Sequence, residues 1–213
     1  MTDDPGAEDA GSMENAGLRR AVVWVALLNL AYFGVEFAVA RRIGSVSLFA
    51  DSIDFLEDAT VNLLILVALG WSARRRALVG IALAAILLAP GLATLWTAWG
   101  KLVSPVPPSA LPLTLAGAGA LAVNLFCAGL LARFRHASGS LTRAAFLSAR
   151  NDAIANVAII GAGFATRLTL SAWPDLAVGL GIFLMNLDAA REVWEAAREE
   201  HASATADERE PRA

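Results

Sequence analysis

Apolar runs long enough to cross a membrane recur along the chain, separated by short polar or charged connections. A spanning helix needs about 20 mainly apolar residues at a rise of about 1.5 Å each. Six segments meet this requirement: 19–40, 46–71, 77–100, 111–133, 143–166 and 173–196. We therefore predict an all-α membrane protein, folded as a six-transmembrane-helix bundle.

The two ends of the chain depart from this pattern. Residues 1–18 are acidic and rich in glycine, and residues 198–213 are polar and charged. Segments with so little apolar content cannot bury enough surface to offset the entropy lost on folding. We expect both ends to be disordered tails, which leaves residues 19–197 as the transmembrane domain.

Composition strengthens the membrane assignment and excludes some partners. The chain is 57% hydrophobic and 17% charged, whereas soluble domains carry about 25% charged residues. The formal net charge of −3 gives no basic field, so we expect no nucleic-acid partner. The single cysteine, Cys127, cannot form an internal disulfide and lies in an apolar run, so we expect an inert, packed thiol.

The positions of arginine and lysine predict the orientation. With the N-terminus inside, ten basic residues flank the inner helix ends: Arg19, Arg20, Arg74, Arg75, Arg76, Arg133, Arg135, Arg143, Arg191 and Arg198. Four flank the outer ends: Arg41, Arg42, Lys101 and Arg167. Because cytoplasmic loops are enriched in Lys and Arg, both termini are expected in the cytoplasm. The protein would then be a multi-pass protein of a bacterial inner or plasma membrane.

The second apolar segment contains an unusual amount of negative charge. Within "SLFADSIDFLEDATVNLL", residues 47–64, four side chains are acidic. At 3.6 residues per turn, Asp51, Asp54, Asp58 and Asn62 fall within about 80° of one another and form one polar stripe. Glu57 lies about 60° or more outside the stripe, so it need not share the same role.

The fifth segment has a matching stripe of Ser148, Asp152 and Asn156 at i, i+4 spacing. Asp58 lies about 18 Å from the outer end of its helix, and Asp152 lies about 14 Å from the inner end of its own. Both carboxylates therefore fall near the bilayer midplane, where an unpaired charge is costly. We infer that the two helices share a site, although one intramembrane Asp alone is also consistent with a helix–helix hydrogen bond.

Arg150 is the one intramembrane cation in the sequence, two residues before Asp152. Two positions along a helix correspond to about 200° of rotation, so Arg150 points away from the stripe. It either extends to the inner interface or pairs with Glu57, and the first interpretation is favoured.

The donors on the two stripes determine the expected chemistry. Carboxylate, amide and hydroxyl oxygens favour Mn²⁺, Fe²⁺ or Co²⁺ over thiophilic metals, and Zn²⁺ is not excluded. Crowded, desolvated carboxylates take up protons when a metal leaves. Metal–proton exchange is therefore a natural use of this site. The residues do not predict an enzyme, because no intramembrane His or Cys is paired with a base.

These motifs resemble those of the cation diffusion facilitator family. "GSVSLFADSIDFLEDATVNLL" resembles the second helix of the family, and "LTRAAFLSARNDAIANVAIIGAG" is similar to its fifth helix. "WPDLAVGLGIFLMNLDAAREVW" looks like the sixth helix, with Pro174-Asp175 where the family usually has Asp-Pro. Glu36 and Asn124 also match, and the resemblance covers residues 19–197, without the family's usual cytoplasmic domain.

The resemblance implies a divalent metal exporter that works by proton antiport, as a homodimer. By position, its metal ligands would be Asp54, Asp58, Ser148 and Asp152. Ser148 departs from the usual His or Asp, and Asn151 or Asn156 are candidates to compensate. His136 and His201 are expected to be solvated surface groups. The competing hypothesis is a non-transporting membrane subunit or scaffold derived from this family.

Overall fold

A computed structural model describes residues 5–68, 92–133, 139–187 and 191. Its elements are helices throughout these ranges, so the all-α prediction is confirmed. In chain order they are α1 (Pro5–Ile43), α2 (Val46–Ala68), α3 (92–103), α4 (Ala110–Ala132), α5 (Gly139–Thr169) and α6 (Trp173–Leu187).

Helix α1 begins earlier than the apolar pattern suggested. We predicted a disordered tail over residues 1–18, whereas the helix extends back to Pro5. Residues 5–18 include several Ala and Glu, and adding residues to an existing helix costs far less than starting one. Several predicted features lie outside the described residues. They are residues 1–4, the C-terminal tail, the first part of the predicted third helix, Arg74–Arg76, His136 and His201.

Two of the described helices are long and apolar enough to cross a membrane. They are Ala16–Ile43 within α1 and Ala110–Ala132, which is α4. Helix α6 is apolar but shorter, and α2 carries the four acidic residues noted above. Length and composition therefore support membrane insertion. That the chain crosses the membrane six times stays a prediction.

The distribution of side chains between surface and interior supports the same environment. Large apolar residues are exposed, among them Trp24, Trp96, Phe126 and Leu168. Buried polar residues include Asn29, Glu36, Asp51, Asn124 and Asn156. Soluble proteins have the opposite arrangement at this scale. An apolar exterior around a polar interior is the arrangement expected of a helical bundle in lipid.

Packing brings α2 and α5 together in the interior. Helix α1 packs extensively on α2, α4 packs extensively on α5, and α2 also contacts α5. The central apolar cluster draws residues from five helices: Ala40, Leu48, Phe49, Ala50, Ile53, Leu113, Ala116, Ala155, Ile159 and Ile182. A second cluster joins α1 to α4 and includes Cys127, which is fully buried as predicted.

A tight turn connects α1 to α2. Gly44 adopts a φ of 65°, in the left-handed region that glycine reaches without Cβ strain. The Ser45 backbone N–H donates to the Ala40 carbonyl at 3.1 Å, as is typical of a glycine-terminated helix. The chain therefore reverses within two residues, and α2 returns alongside α1.

A buried carboxylate joins the start of α6 to the start of α2. Asp175 Oδ1 accepts from Ser45 Oγ at 2.6 Å, Ser47 Oγ at 2.6 Å and the Ser47 backbone N–H at 3.2 Å. Its Oδ2 accepts from the Val46 backbone N–H at 2.9 Å. We call Asp175, Ser45, Val46 and Ser47 the Asp175 cluster. It satisfies the otherwise unpaired first N–H groups of α2 and complements its helix dipole.

Candidate metal site

The three predicted carboxylate ligands lie in the interior between α2 and α5. Asp54 is 9% exposed, and Asp58 and Asp152 are half-buried. Asp152 on α5 lies near enough to Asp54 and Asp58 on α2 for their like charges to repel strongly. A divalent cation or protons would relieve this repulsion, and either would be attracted to the same place.

Side-chain amides from two further helices contact the aspartates of α2. Asn186 on α6 donates its Nδ2 to Asp54 Oδ1. Asn29 on α1 donates its Nδ2 to Asp58 Oδ2 at 3.4 Å, and Asn29 is itself fully buried. The site is therefore bordered by four helices, where the sequence predicted only α2 and α5.

Two asparagines extend the polar stripes by one helical turn each. Asn62 Nδ2 donates to the Asp58 backbone carbonyl, and Asn156 Nδ2 donates to the Asp152 backbone carbonyl, both at 2.8 Å. The Oδ1 atoms of both are buried and accept no hydrogen bond from any described donor. Because these oxygens remain available, Asn62 and Asn156 add neutral acceptors to the polar interior.

Two more acidic residues belong to the same polar interior. Glu36 on α1 and Asp51 on α2 are both fully buried. Their carboxyl groups contact each other, and no other donor in the described part of the chain reaches their oxygens. Of the predicted stripe on α2, Asp51, Asp54 and Asn62 are buried and Asp58 is half-buried.

The remaining predicted polar residues differ in their exposure, and Glu57 is as buried as Asp58 and Asp152. Glu57 is half-buried, and Arg150 and Asn151 are exposed, with the Arg150 guanidinium donating to Asn151 Oδ1 at 3.4 Å. Of the two amides considered as replacements for a ligand, only Asn156 therefore lies in the interior. Ser148 is on the helical backbone of α5, and its side chain lies outside the described residues.

The described side chains do not form a closed ligand cage. Among them, no group of three or more His, Cys, Asp or Glu residues has its donors close enough together to hold a metal ion. The carboxylates of Asp54, Asp58 and Asp152 nevertheless share one region of the bundle. The predicted ligands with described side chains, Asp54, Asp58 and Asp152, offer oxygen donors, and the Cys127 Sγ–H donates to Asn29 Oδ1 at 3.8 Å.

Two features of the structure were not predicted from the sequence: the contact of Asn186 with Asp54 and the role of Asp175. Asp175, Gly179, Ile182 and Asn186 recur at spacings of four, three and four residues, which places them on one face of α6. That periodicity was the available signal in the sequence.

Comparison with protein families bears on what this interior does. A family model described as "Cation efflux transmembrane domain" matches residues 22–199. A comparison with curated proteins finds no match. The family match extends over most of the chain and includes α2 and α5 with all four predicted ligand positions. The chain therefore belongs to the cation efflux (cation diffusion facilitator) family, whose members are membrane transporters of cations.

Proposed function

We propose that this protein exports divalent metal ions in exchange for protons, through a site formed by Asp54, Asp58, Ser148 and Asp152. The observation that carries the proposal is the meeting of carboxylates from α2 and α5 inside a cation efflux domain. Three carboxylates provide more negative charge than one divalent cation neutralises. The site therefore has a reason to hold a metal and, when the metal leaves, to hold protons.

The donor set supports a particular group of metals. Carboxylate, hydroxyl and amide oxygens suit Mn²⁺, Fe²⁺ and Co²⁺, and a tetrahedral arrangement of oxygens also accepts Zn²⁺. Ser148 replaces the imidazole or carboxylate usual at its position, which removes a strong ligand for Zn²⁺. We propose that the transported ion comes from this Mn/Fe/Co/Zn group.

The membrane arrangement completes the proposal. Six spans with both termini in the cytoplasm fit the ten-to-four bias of basic residues across the helix ends. The protein would act as a homodimer in a bacterial inner or plasma membrane.

Transport in reconstituted vesicles tests this function. Wild-type protein should move Mn²⁺, Co²⁺ or Zn²⁺ into proteoliposomes. Uptake should be faster when the proton concentration is higher inside the vesicles, so that protons flow out as the metal ion enters. Asp58→Asn or Asp152→Asn should lower the transport rate by more than about tenfold, because each removes charge from a ligand. Glu57→Gln is the matched control, an acid-to-amide change on α2 outside the stripe, and it should stay near wild type. Unchanged transport in both aspartate variants would exclude the assigned site.

A second candidate is a membrane subunit that binds no metal and transports none. It is favoured by Ser148 and by the absence of a three-residue ligand group among the described side chains. Thermal unfolding separates the two functions: a transporter should be stabilised by its metal, and Asp58→Ala should abolish that stabilisation. A wild-type protein indifferent to all the metals would favour the subunit.

A further inference from the structure

We propose that Asn186 on α6 determines the ion selectivity of the transport site, by giving its amide oxygen to a cation held by Asp54. The inference rests on the proposed function and extends the site to a third helix. The cations it would favour are divalent ions that prefer oxygen donors and more than four ligands, such as Mn²⁺, over Zn²⁺.

Contact between Asn186 and Asp54 is direct. The amide nitrogen donates to Asp54 Oδ1 across a separation of 132 residues in the chain. The oxygen and nitrogen of a carboxamide occupy nearly equivalent positions, so rotating the group by 180° exchanges donor for acceptor. Asn186 therefore stabilises the Asp54 carboxylate without a metal and, once rotated, presents an oxygen to a metal bound at the same carboxylate.

The packing of α6 fixes Asn186 in this place. Ile182, one turn earlier, is buried in the central cluster with Ile53 of α2. The neighbours Leu184, Met185 and Leu187 are exposed at 61%, 53% and 46%. The helix therefore presents Leu184, Met185 and Leu187 outward and turns Ile182 and the Asn186 amide inward.

Ligand chemistry explains why an amide at this position would alter selectivity. Asp54, Asp58 and Asp152 already supply three negative charges, so a further carboxylate would increase their repulsion. An amide oxygen adds a ligand and no charge. Zn²⁺ is usually satisfied by four ligands in a tetrahedron, whereas Mn²⁺ favours six oxygen ligands. A neutral fifth donor from α6 therefore benefits Mn²⁺ more than Zn²⁺.

The test is the ratio of Mn²⁺ to Zn²⁺ transport in proteoliposomes, measured for wild type, Asn186→Leu and Asn186→Asp. Leucine has a similar size and no oxygen, and it should lower the Mn²⁺/Zn²⁺ ratio by about tenfold, the lower end of the effect of losing a metal-site partner. Aspartate keeps an oxygen and should retain the wild-type order of ions. Asn151→Leu makes the same change at an exposed asparagine one residue from Asp152, and should leave the ratio unchanged.

The possible outcomes separate the two proposals. If Asn186→Leu transports both ions with the wild-type ratio, or loses both equally, the selectivity role is wrong while the proposed function stands. If Asn186→Asp loses the wild-type order as completely as Asn186→Leu does, the oxygen is not what selects the ion, and the inference is again wrong. A wild-type protein that transports no divalent ion overturns the proposed function, and the selectivity role falls with it.

Discussion

Two regions of this protein bury carboxylates to the same extent but treat them differently. At the α1–α2 turn, Asp175 is fully buried and accepts four hydrogen bonds from the start of α2. In the interior, Glu36 and Asp51 are equally buried and contact each other, and no other described donor reaches their oxygens. Burial alone therefore does not distinguish a structural carboxylate from one kept for another purpose.

The number of hydrogen bonds makes the distinction. A buried carboxylate with its acceptors filled stabilises the fold, because the cost of leaving water is offset by strong charge-assisted bonds. A buried carboxylate without donors destabilises the fold unless a proton or cation joins it. The Asp175 cluster thus holds the start of α2 against the start of α6. The interior carboxylates, by contrast, can still take up a proton or a cation.

The largest effect is expected from breaking the Asp175 cluster. Asp175→Ala leaves the Ser45 and Ser47 hydroxyls and two backbone N–H groups of α2 without their acceptor. At about 1 kcal/mol or more for each of these four groups, the free energy of unfolding should fall by about 4 kcal/mol or more. Unfolding of the detergent-solubilised protein by denaturant measures this loss. A change below about 1 kcal/mol would mean that water replaces the carboxylate without cost.

Sequence periodicity could predict the stripes but not their partners. A spacing of three or four residues was enough to place Asp51, Asp54 and Asn62 on one face of α2, because that depends on helix geometry alone. The contacts of Asp54 with Asn186 and of Asp175 with Ser47 join residues separated by 132 and 128 positions. Such contacts depend on how each helix is rotated against its neighbours, and no local pattern determines that rotation.

The start of α1 shows a second limit of the sequence. Low apolar content predicted a tail over residues 1–18, yet the helix extends to Pro5. Composition reports whether a segment can bury surface, and it does not report whether a neighbouring helix will propagate into it. The family resemblance, by contrast, was carried by α2 and α5, and the match over residues 22–199 confirms it.

An acid-to-amide change should have opposite signs in the two regions. Asp51→Asn replaces one of two facing buried carboxyl groups by an amide that can donate to Glu36, so the metal-free protein should gain about 1 kcal/mol of unfolding free energy. Asp175→Asn replaces two good acceptors by one and should lose a similar amount. Thermal unfolding of both variants in the presence of a chelator gives the comparison. If Asp51→Asn is destabilised as much as Asp175→Asn, the interior carboxylates have donors that match those of Asp175.

The smallest effect is expected at Lys101, which contacts the α1–α2 turn beside the Asp175 cluster. Lys101, at the end of α3, donates its Nζ to the carbonyl of Gly44 in the α1–α2 turn. Lys101→Met keeps most of the aliphatic chain and removes the donor, so unfolding free energy should fall by about 1 kcal/mol. Lys101→Arg is the matched control and should recover most of the loss, because its guanidinium still donates. An arginine variant as unstable as the methionine variant would show that the fit of the ammonium in the turn matters, and not the hydrogen bond itself. Transport should be unaffected in both variants, because this contact stabilises the turn and lies outside the carboxylates of α2 and α5.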